Sequence, residues 1–311
     1  MTAGAPLVSV NVPCYRQLPL NRRAVETIRA QSFANLEITL IDDGASDEYR
    51  RSVESLRDPR VRYVRNPERL GAMRNMFAAI ETGRGQYTMA FHEDDLLSAG
   101  YIEQAVGILE RDPRCGFVAC ELREFTAEPT AAELGRRGPD PAYDVFASEA
   151  DLVRGILRGV NPMFGSVVYR RAALEHARAD LDRFGTLVDR PYLLSIMKSG
   201  WSAAVVREPM VWYRHHEDGA RHATMTVDHV LRLLRTYRDC LPTQWSSQDE
   251  ALFFTFSGYW LFELYRLTPA GQRPPVWRYL LRAWREGLYN PRARGRFGLR
   301  QMQRALLNRT S

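Results

Sequence analysis

The sequence predicts an α/β protein with a mixed, mostly parallel sheet flanked by helices and a helical C-terminal extension. Three observations carry that prediction. Short apolar runs alternate with stretches of helical spacing through the first hundred residues. Strands separated by single helices imply parallel pairing with helices on both faces. After Thr226 the strand-like runs stop and helical spacing takes over.

The elements follow in order. Val8–Val12 reads as a strand, and Leu18–Ala30 as a helix with Leu20, Ala24 and Ile28 on one side. Glu37–Ile41 is a second strand that runs into Asp42-Asp43-Gly44, and Asp47–Leu56 suits a helix. Val61–Val64 is a third strand and Ala72–Glu81 another helix. Tyr87–Phe91 is a fourth strand, followed by a helix over Tyr101–Glu110 that stops at the Asp112-Pro113 breaker. Beyond residue 115 the rhythm changes. Gly116–Glu124 is strand-like, residues 126–147 form an irregular Pro-, Ala- and Gly-rich excursion, and Phe164–Tyr169 and Ala203–Trp212 are strand-like around a helical stretch at Arg190–Ser199. Helices are expected over Val227–Cys240, Gln248–Leu267 and Val276–Gly287. No internal repeat is present.

Composition narrows the class. The chain has 311 residues, 45% of them apolar, enough for one large domain or a domain with an appendage. No run of about 18 uninterrupted apolar residues exists, so no membrane span is expected. The N-terminal MTAGAPLVSVNV has neither basic segment nor cleavable apolar core, so no signal peptide is expected either. Cys14, Cys115, Cys120 and Cys240 lack metal-site or CxxC spacing and read as reduced thiols of a cytoplasmic protein. The formal charge is +6, and Lys198 is the only lysine. From Val276 to Arg309 there are nine arginines against the single acid Glu286. Such a tail suits phosphates, of lipid headgroups or of nucleic acid.

Three polar clusters sit at the carboxyl ends of the predicted strands: Pro13-Cys14-Tyr15, Asp42-Asp43-Gly44 and Glu93-Asp94-Asp95. Ligands of such sheets bind beyond those ends. No GxGxxG or GxxxxGK[ST] follows any strand, so no Gly-rich loop cradles a phosphate. A diphosphate held without such a loop commonly relies on a divalent metal and carboxylates. That also explains the crowding in FHEDDLL, where packed like charges repel unless a dication offsets them. A solvated acidic turn capping the next helix is the simpler alternative for that run alone.

Several ordered motifs then resemble one family. PLVSVNVPCYR resembles an opening strand ending in Pro-x-Tyr-Asn. QSFANLEITLIDDGASD resembles a Gln-Thr…Glu-Ile…Asp-Asp-Gly-Ser-x-Asp block. NPERLGAMRNMFAAIETGRGQY matches an Asn…Gly…Arg-Asn…Gly-Glu-Tyr block at Asn66, Gly71, Arg74, Asn75 and Gly85. FHEDDLL falls on an Asp-x-Asp-Asp metal motif, LVDRPYLLSIMKSGW on a Glu-Asp helix, and VWYRHH on a Tyr-Arg-x-His. Over about two thirds of the chain, Val8 to His216, the sequence resembles the family-2 glycosyltransferases of the GT-A fold, a Rossmann-like sheet.

The resemblance implies an inverting, metal-dependent transferase that uses a nucleotide-sugar. Residues 1–225 would be the catalytic domain, with 1–115 the nucleotide half and 116–225 the acceptor half, and 226–311 the helical extension. Pro13 and Tyr15 would line the base, Asp43 would accept a uracil N3–H, and Arg74 would reach the diphosphate. Asp94 and Asp95 would hold Mn²⁺ or Mg²⁺ against the phosphates, with His216 completing the coordination. Asp189 would be the general base that takes the acceptor hydroxyl's proton. Structural roles compete for several of these: turn and cap for Asp42 and Asp43, helix-dipole pairing for Asp189, an exposed loop for His215 and His216. Trp201, Trp212 and Trp260 suit core or cleft wall better than sugar platforms. Departures from the pattern are Arg16 for Asn, His92 for the first metal-motif Asp, and Val188 for Glu. His92 is left open between a nucleotide contact and support of the turn.

The expected donor is a UDP-sugar, with a dTDP-sugar offering the same N3–H. The acceptor is a glycan, a lipid-linked sugar or a small metabolite. The place is the cytoplasm, with peripheral contact to the inner membrane face open to the basic C-terminus. A nucleotide-sugar-binding protein without catalysis is the alternative, favoured by His92 and Val188. Nucleic-acid binding through the tail lacks any recognisable module.

Overall fold

The computed structural model describes residues 7–44, 47–135, 141–215, 225–268 and 275–290. The chain divides into two compact units, each assembled from separate segments. The first comprises Met1–Phe146, Asn161–Ala177 and Ser199–His216; the second comprises Ala147–Val160, Arg178–Lys198 and Glu217–Ser311.

The first unit holds the sheet. Its elements are β1 (Val8–Cys14), α1 (Leu18–Arg29), β2 (Leu36–Asp42), α2 (Asp47–Leu56), β3 (Val61–Arg65), α3 (Ala72–Glu81), β4 (Tyr87–Ala90), β5 (Leu96–Leu97), α4 (Tyr101–Arg111), β6 (Cys115–Phe125), α5 (Ala131–Leu134), β7 (Tyr143–Phe146), β8 (Val168–Arg170) and β9 (Ser202–Arg214). The strand order is β3-β2-β1-β4-β8-β6-β9-β5, with β7 added to β9. Strands β3, β2, β1 and β4 are parallel, as the single-helix crossovers require. Beyond them β8 runs antiparallel to both β4 and β6, while β6 and β9 form a long parallel ladder. The predicted mixed, mostly parallel sheet flanked by helices is the fold observed.

Strand β1 shows why the sheet forms. Val8, Val10 and Val12 are fully buried, and so are the intervening Ser9 and Asn11. A strand covered on both faces favours internal partners for its polar side chains, though the buried Asn11 Oδ1 has none among the described residues. Ser9 Oγ donates to Glu37 Oε1 at 2.7 Å, and Asn11 Nδ2 donates to the carbonyls of Ala79 and Thr82 at 2.8 and 2.9 Å. Gly85 passes so close to β1 that a Cβ there would sit 2.7 Å from the Ser9 backbone nitrogen, so only glycine fits. Helix α4 covers the sheet with Tyr101, Ile102, Ala105, Val106 and Leu109.

The second unit is helical: α6 (Glu149–Leu157), α7 (Leu181–Phe184), α8 (Asp189–Lys198), α9 (Val227–Cys240), α10 (Ser247–Leu267) and α11 (Val276–Arg285). The side chains of Thr226 and Ser246 cap α9 and α10, accepting from the His229 and Asp249 backbone N–H groups. Its core includes Val230, Leu231, Leu234, Tyr237, Phe253 and Leu261. Among the described residues no helix is long and apolar enough to cross a membrane.

Several local features differ from the sequence prediction. Phe164–Ser166 forms a 3-10 turn and only Val168–Arg170 is strand. The turn brings Gly165 against the ring of His92, where an added Cβ would come within 3.0 Å. The stretch 126–147 contains α5, closed by a Thr130–Glu133 capping box, and strand β7. Helix α6 also lies where no element was expected, started by the Ser148 side chain, which accepts from Asp151 N–H.

Candidate functional site

Because β2, β1 and β4 are adjacent and parallel, their carboxyl ends emerge on one edge of the sheet. Tyr15 follows β1, Asp43 follows β2, and His92 to Asp95 follow β4. The chain winds from β1 to β3 on one side and then returns to β4 on the other. That reversal is the place where open α/β sheets bind ligands.

A cleft of about 300 Å³ opens at this edge, and its lining includes Tyr15, Arg16, Asp43, Arg65, Asn66 and Arg69. Tyr15 and Asp43, expected to act on one base, are thus brought together. The guanidinium of Arg69 lies 4.5 Å from the Tyr15 ring centroid and that of Arg16 lies 5.1 Å away. The sequence pattern marks neither arginine as a site residue; Arg69 closes the run Arg65-Asn66-Pro67-Glu68-Arg69.

Asp43 is almost fully buried and already serves the fold. Its Oδ1 accepts from Asn66 Nδ2 at 2.9 Å and Leu70 N at 2.7 Å, and its Oδ2 accepts from Gly71 N at 2.8 Å. A carboxylate offers about four acceptor directions, and donors among the described residues fill three of them. Asp42 ends β2 and is engaged within the fold: it accepts from Gly44 N at 2.7 Å and from the Tyr63 hydroxyl at 2.8 Å. Burial, and then that bond to Asp42, push the Tyr63 phenol up to about 12. Pro13 is paired with Ile41 inside the sheet. Arg74 stands exposed on the first turn of α3.

The acidic run after β4 makes the second feature. His92, Asp94 and Asp95 each offer a ligand atom within 4.8 Å of the others. Asp95 is 1% exposed, and both its oxygens are engaged. Oδ1 accepts from Arg214 N at 3.0 Å, and Oδ2 lies 2.8 Å from His92 Nδ1. An ionised carboxylate can only accept, so a neutral His92 paired in this way carries its proton on Nδ1 and its lone pair on Nε2. The His92 ring packs on Gly165, where an added Cβ would come within 3.0 Å of it. Arg214 Nε also donates to the Asp94 carbonyl at 3.0 Å. A carboxylate beside an imidazole oriented by a second carboxylate is a donor set that fits a divalent cation.

Glu93 joins the two features. Its Oε1 accepts from Tyr15 N at 2.7 Å and its Oε2 from the Tyr49 hydroxyl at 2.7 Å. That hydroxyl accepts in turn from Gln17 N at 2.8 Å. The backbone on both sides of Arg16 is therefore fixed, and Arg16 itself sits at φ 59°, a left-handed conformation that costs a non-glycine residue free energy. Burial pushes the Glu93 carboxyl up to about 7, with the charges of Asp94 and Asp42 adding and the bonds from Tyr49 and Tyr15 opposing. In the sequence Glu93 is only the first residue of an acidic strand-end cluster, which carries no signal of this bridge.

Asp189 opens α8 in the second unit, half-buried, with Arg190 Nη1 at 3.9 Å from its Oδ2. Val188 before it is fully buried. His215 is exposed and its backbone N–H donates to the Phe125 carbonyl at 2.9 Å. His216 lies outside the described residues. Trp212 is a wall of the core, edge-on to Phe125 with ring centroids 6.4 Å apart.

Comparison with known proteins gives concordant matches. The family model for glycosyl transferase family 2 matches residues 9–177. The uncharacterized glycosyltransferase EpsJ of Bacillus subtilis is 26% identical over 221 residues, covering 68% of this chain and 62% of its own length. The putative colanic acid biosynthesis glycosyl transferase WcaA of Escherichia coli is 29% identical over 92 residues, 29% of this chain and 33% of its own. The uncharacterized protein y4gI of Sinorhizobium fredii is 31% identical over 193 residues, 61% of this chain and 20% of its own. This chain thus spans less than two thirds of the length of each of these relatives. In structure, S. aureus TarS 1–349 in complex with UDP superposes with a TM-score of 0.62 at 10% identity, covering 97% of this chain and 88% of that one. A mannosyltransferase of Pyrobaculum calidifontis in complex with GDP-Man and Mn²⁺ gives 0.54 at 19% identity, covering 99% and 88%.

Proposed function

We propose, from the premise that this chain belongs to glycosyl transferase family 2, that it moves a sugar from a nucleotide-sugar to an acceptor hydroxyl with inversion at the anomeric carbon. The observation that carries this function is the placement of the cleft and the His92-Asp94-Asp95 cluster at the ends of adjacent parallel strands, bridged by Glu93. TarS has been solved with UDP-GlcNAc, which supports a UDP-sugar as the favoured donor here; a dTDP-sugar presents the same N3–H. The acceptor is a glycan, a lipid-linked sugar or a small metabolite. Residues 1–115 form the nucleotide side, 116–225 the acceptor side and 226–311 the helical extension.

Each residue has a task. Tyr15, backed by Pro13, stacks on the base, and the remaining acceptor direction of Asp43 takes the N3–H. Arg74, with Arg69 at the cleft, meets the diphosphate. Asp94 and Asp95 would hold Mn²⁺ or Mg²⁺, Asp95 while also orienting His92, with His216 as a further ligand and the His92 imidazole favouring Mn²⁺. Bound there, the cation supplies Lewis-acid stabilisation of the departing nucleoside diphosphate. Asp189 accepts the proton of the attacking hydroxyl. The working place is the cytoplasm, with peripheral contact to the inner membrane face through the basic C-terminus.

A ligand that binds only the folded chain raises its apparent melting temperature. UDP with Mn²⁺ is expected to raise it more than either alone, and UDP-sugars are expected to be consumed. Absence of any nucleotide shift across a panel of nucleotides and metals would overturn the function. His92 in place of the family's Asp and the buried Val188 favour the alternative, binding without transfer. In that case UDP binds and no donor turns over.

A further inference from the structure

We infer that the outer face of α11 is a docking surface for an anionic lipid bilayer, with Trp277 and Trp284 as its apolar anchors. This deepens the membrane clause of the function proposed above and needs nothing of sugar transfer.

Helix α11 packs the wrong way round for a helix whose apolar side faces a core. Among its described side chains the buried one is the small Ala283, followed by Leu288 and Tyr289 just past its end. The same side is held by polar contacts: Arg282 pairs with Asp228, Arg235 with Glu286, and Arg238 Nη1 donates to the Glu286 carbonyl at 2.9 Å. Its largest side chains lie on the other side. Trp277 is 56% exposed and Trp284 57% exposed, and their spacing of seven residues puts them on one face, with Leu280 and Leu281 half-buried between them. On α10, which packs against α11, Phe262 is equally exposed at 56%. Large aromatic side chains rarely stand open together on a surface that meets only water.

Charge selects the occupant. Arg278 and Arg285 are exposed beside the two tryptophans, and among the described residues neither forms an ion pair. The guanidinium of Arg278 lies 5.6 Å from the Trp277 ring centroid. Residues 291–311, which follow this helix directly, contain six arginines and no acid. Tryptophan on an apolar face, arginine at its flanks and a cationic continuation are the parts of a helix that lies in a membrane interface. Tryptophan suits that depth because its ring is apolar and its N–H stays hydrated. Each basic residue near an anionic surface adds to the attraction. A second copy of this chain would bring its own arginines to the same patch and repel. A nucleic acid would use the arginines and leave the tryptophan and leucine face wet.

The test is co-sedimentation of the full chain with vesicles of phosphatidylcholine alone and of phosphatidylcholine mixed with phosphatidylglycerol. Wild type is expected to sediment with the mixed vesicles at low salt and to be released by high salt. The double variant Trp277→Ser, Trp284→Ser is expected to bind them about tenfold more weakly, the loss appropriate to two half-exposed aromatic side chains. Its melting temperature should match wild type, since neither ring is buried. A parallel chain with its tail arginines neutralised (Arg292→Gln through Arg309→Gln) separates the two contributions. If the tryptophan variant binds as wild type does and the tail variant does not, the face is refuted and tail contact alone remains. If the reverse holds, the face stands and tail contact falls. Failure of wild type to sediment with either vesicle overturns the inference. So does a concentration-dependent dimer that the tryptophan variant abolishes.

Discussion

Asp95→Asn asks whether a buried carboxylate sets up the imidazole beside it. In the native chain Asp95 takes the Arg214 backbone N–H at 3.0 Å with one oxygen and faces His92 Nδ1 at 2.8 Å with the other. Asparagine has a single oxygen, so one side must change. Turning its NH₂ toward Arg214 would set two donors against each other in a buried place, at a cost of about 1–3 kcal/mol. Keeping its oxygen on Arg214 instead turns the NH₂ toward His92, and the ring adapts by moving its proton from Nδ1 to Nε2. The second arrangement is the cheaper, and it removes the lone pair that Nε2 offers a cation. Losing the partner that orients a metal-binding histidine costs about 10–100-fold in metal affinity. Mn²⁺ titration by calorimetry, with UDP present, measures this directly. The fold should survive with a stability loss of about 1–2 kcal/mol. Turnover should drop at metal concentrations that only just saturate wild type, and Asp94→Asn should behave likewise. A folded Asp95→Asn variant whose Mn²⁺ affinity stays within about twofold of wild type would refute the orienting role, being well below the expected loss.

Three further outcomes are expected. Asp189→Asn keeps size and polarity but removes the base, so kcat should fall by at least about 10²-fold with donor affinity nearly unchanged. Near-normal turnover would take Asp189 out of the chemistry, and joint loss of donor affinity and stability would make it structural. Asp43→Asn should orphan the Gly71 N–H, lowering stability by about 1–3 kcal/mol in urea unfolding and weakening UDP binding as well. Unchanged stability would contradict the three bonds described for that carboxylate. Glu93, raised from 4.5 to about 7, keeps in the folded chain a proton that the unfolded chain has lost across that window. Stability of the metal-free protein should therefore fall as pH rises from about 4.5 to about 7. Comparing wild type with Glu93→Gln in EDTA isolates this slope, and identical pH profiles would exclude Glu93 as its source.

The parallel half of the sheet was legible because its signals are local. Runs such as Val8, Val10 and Val12, each followed by helical spacing, state both the element and its crossover. Strand β5 was not legible. Leu96 and Leu97 become strand only by pairing with Trp212 and Val211, far along the chain. Helix α6 did leave a signal in Ser148 and Asp151, a capping pattern at the end of a stretch read as irregular. At the site, carboxylates after β2 and β4 announced themselves by position. The role of His92 did not, because its orientation depends on Asp95 beside it and on Gly165 across the fold. Glu93 was harder still, since its two partners come from the ends of β1 and from α2.

Glu93 is covalently joined to Asp94, and its side chain grips the loop that carries Tyr15. Glu93, which anchors the loop of the proposed nucleotide wall, is therefore the chain neighbour of the proposed cation groups, so the two are mechanically coupled. Linkage makes such coupling reciprocal: the factor by which the ion tightens the nucleotide equals the factor by which the nucleotide tightens the ion. In the proposed cycle this reciprocity outlasts the reaction, because the spent nucleoside diphosphate still touches both. Abundant cation should then turn accumulated UDP into a stronger product inhibitor, so that the ion helping the bond to break also delays the vacating of the site.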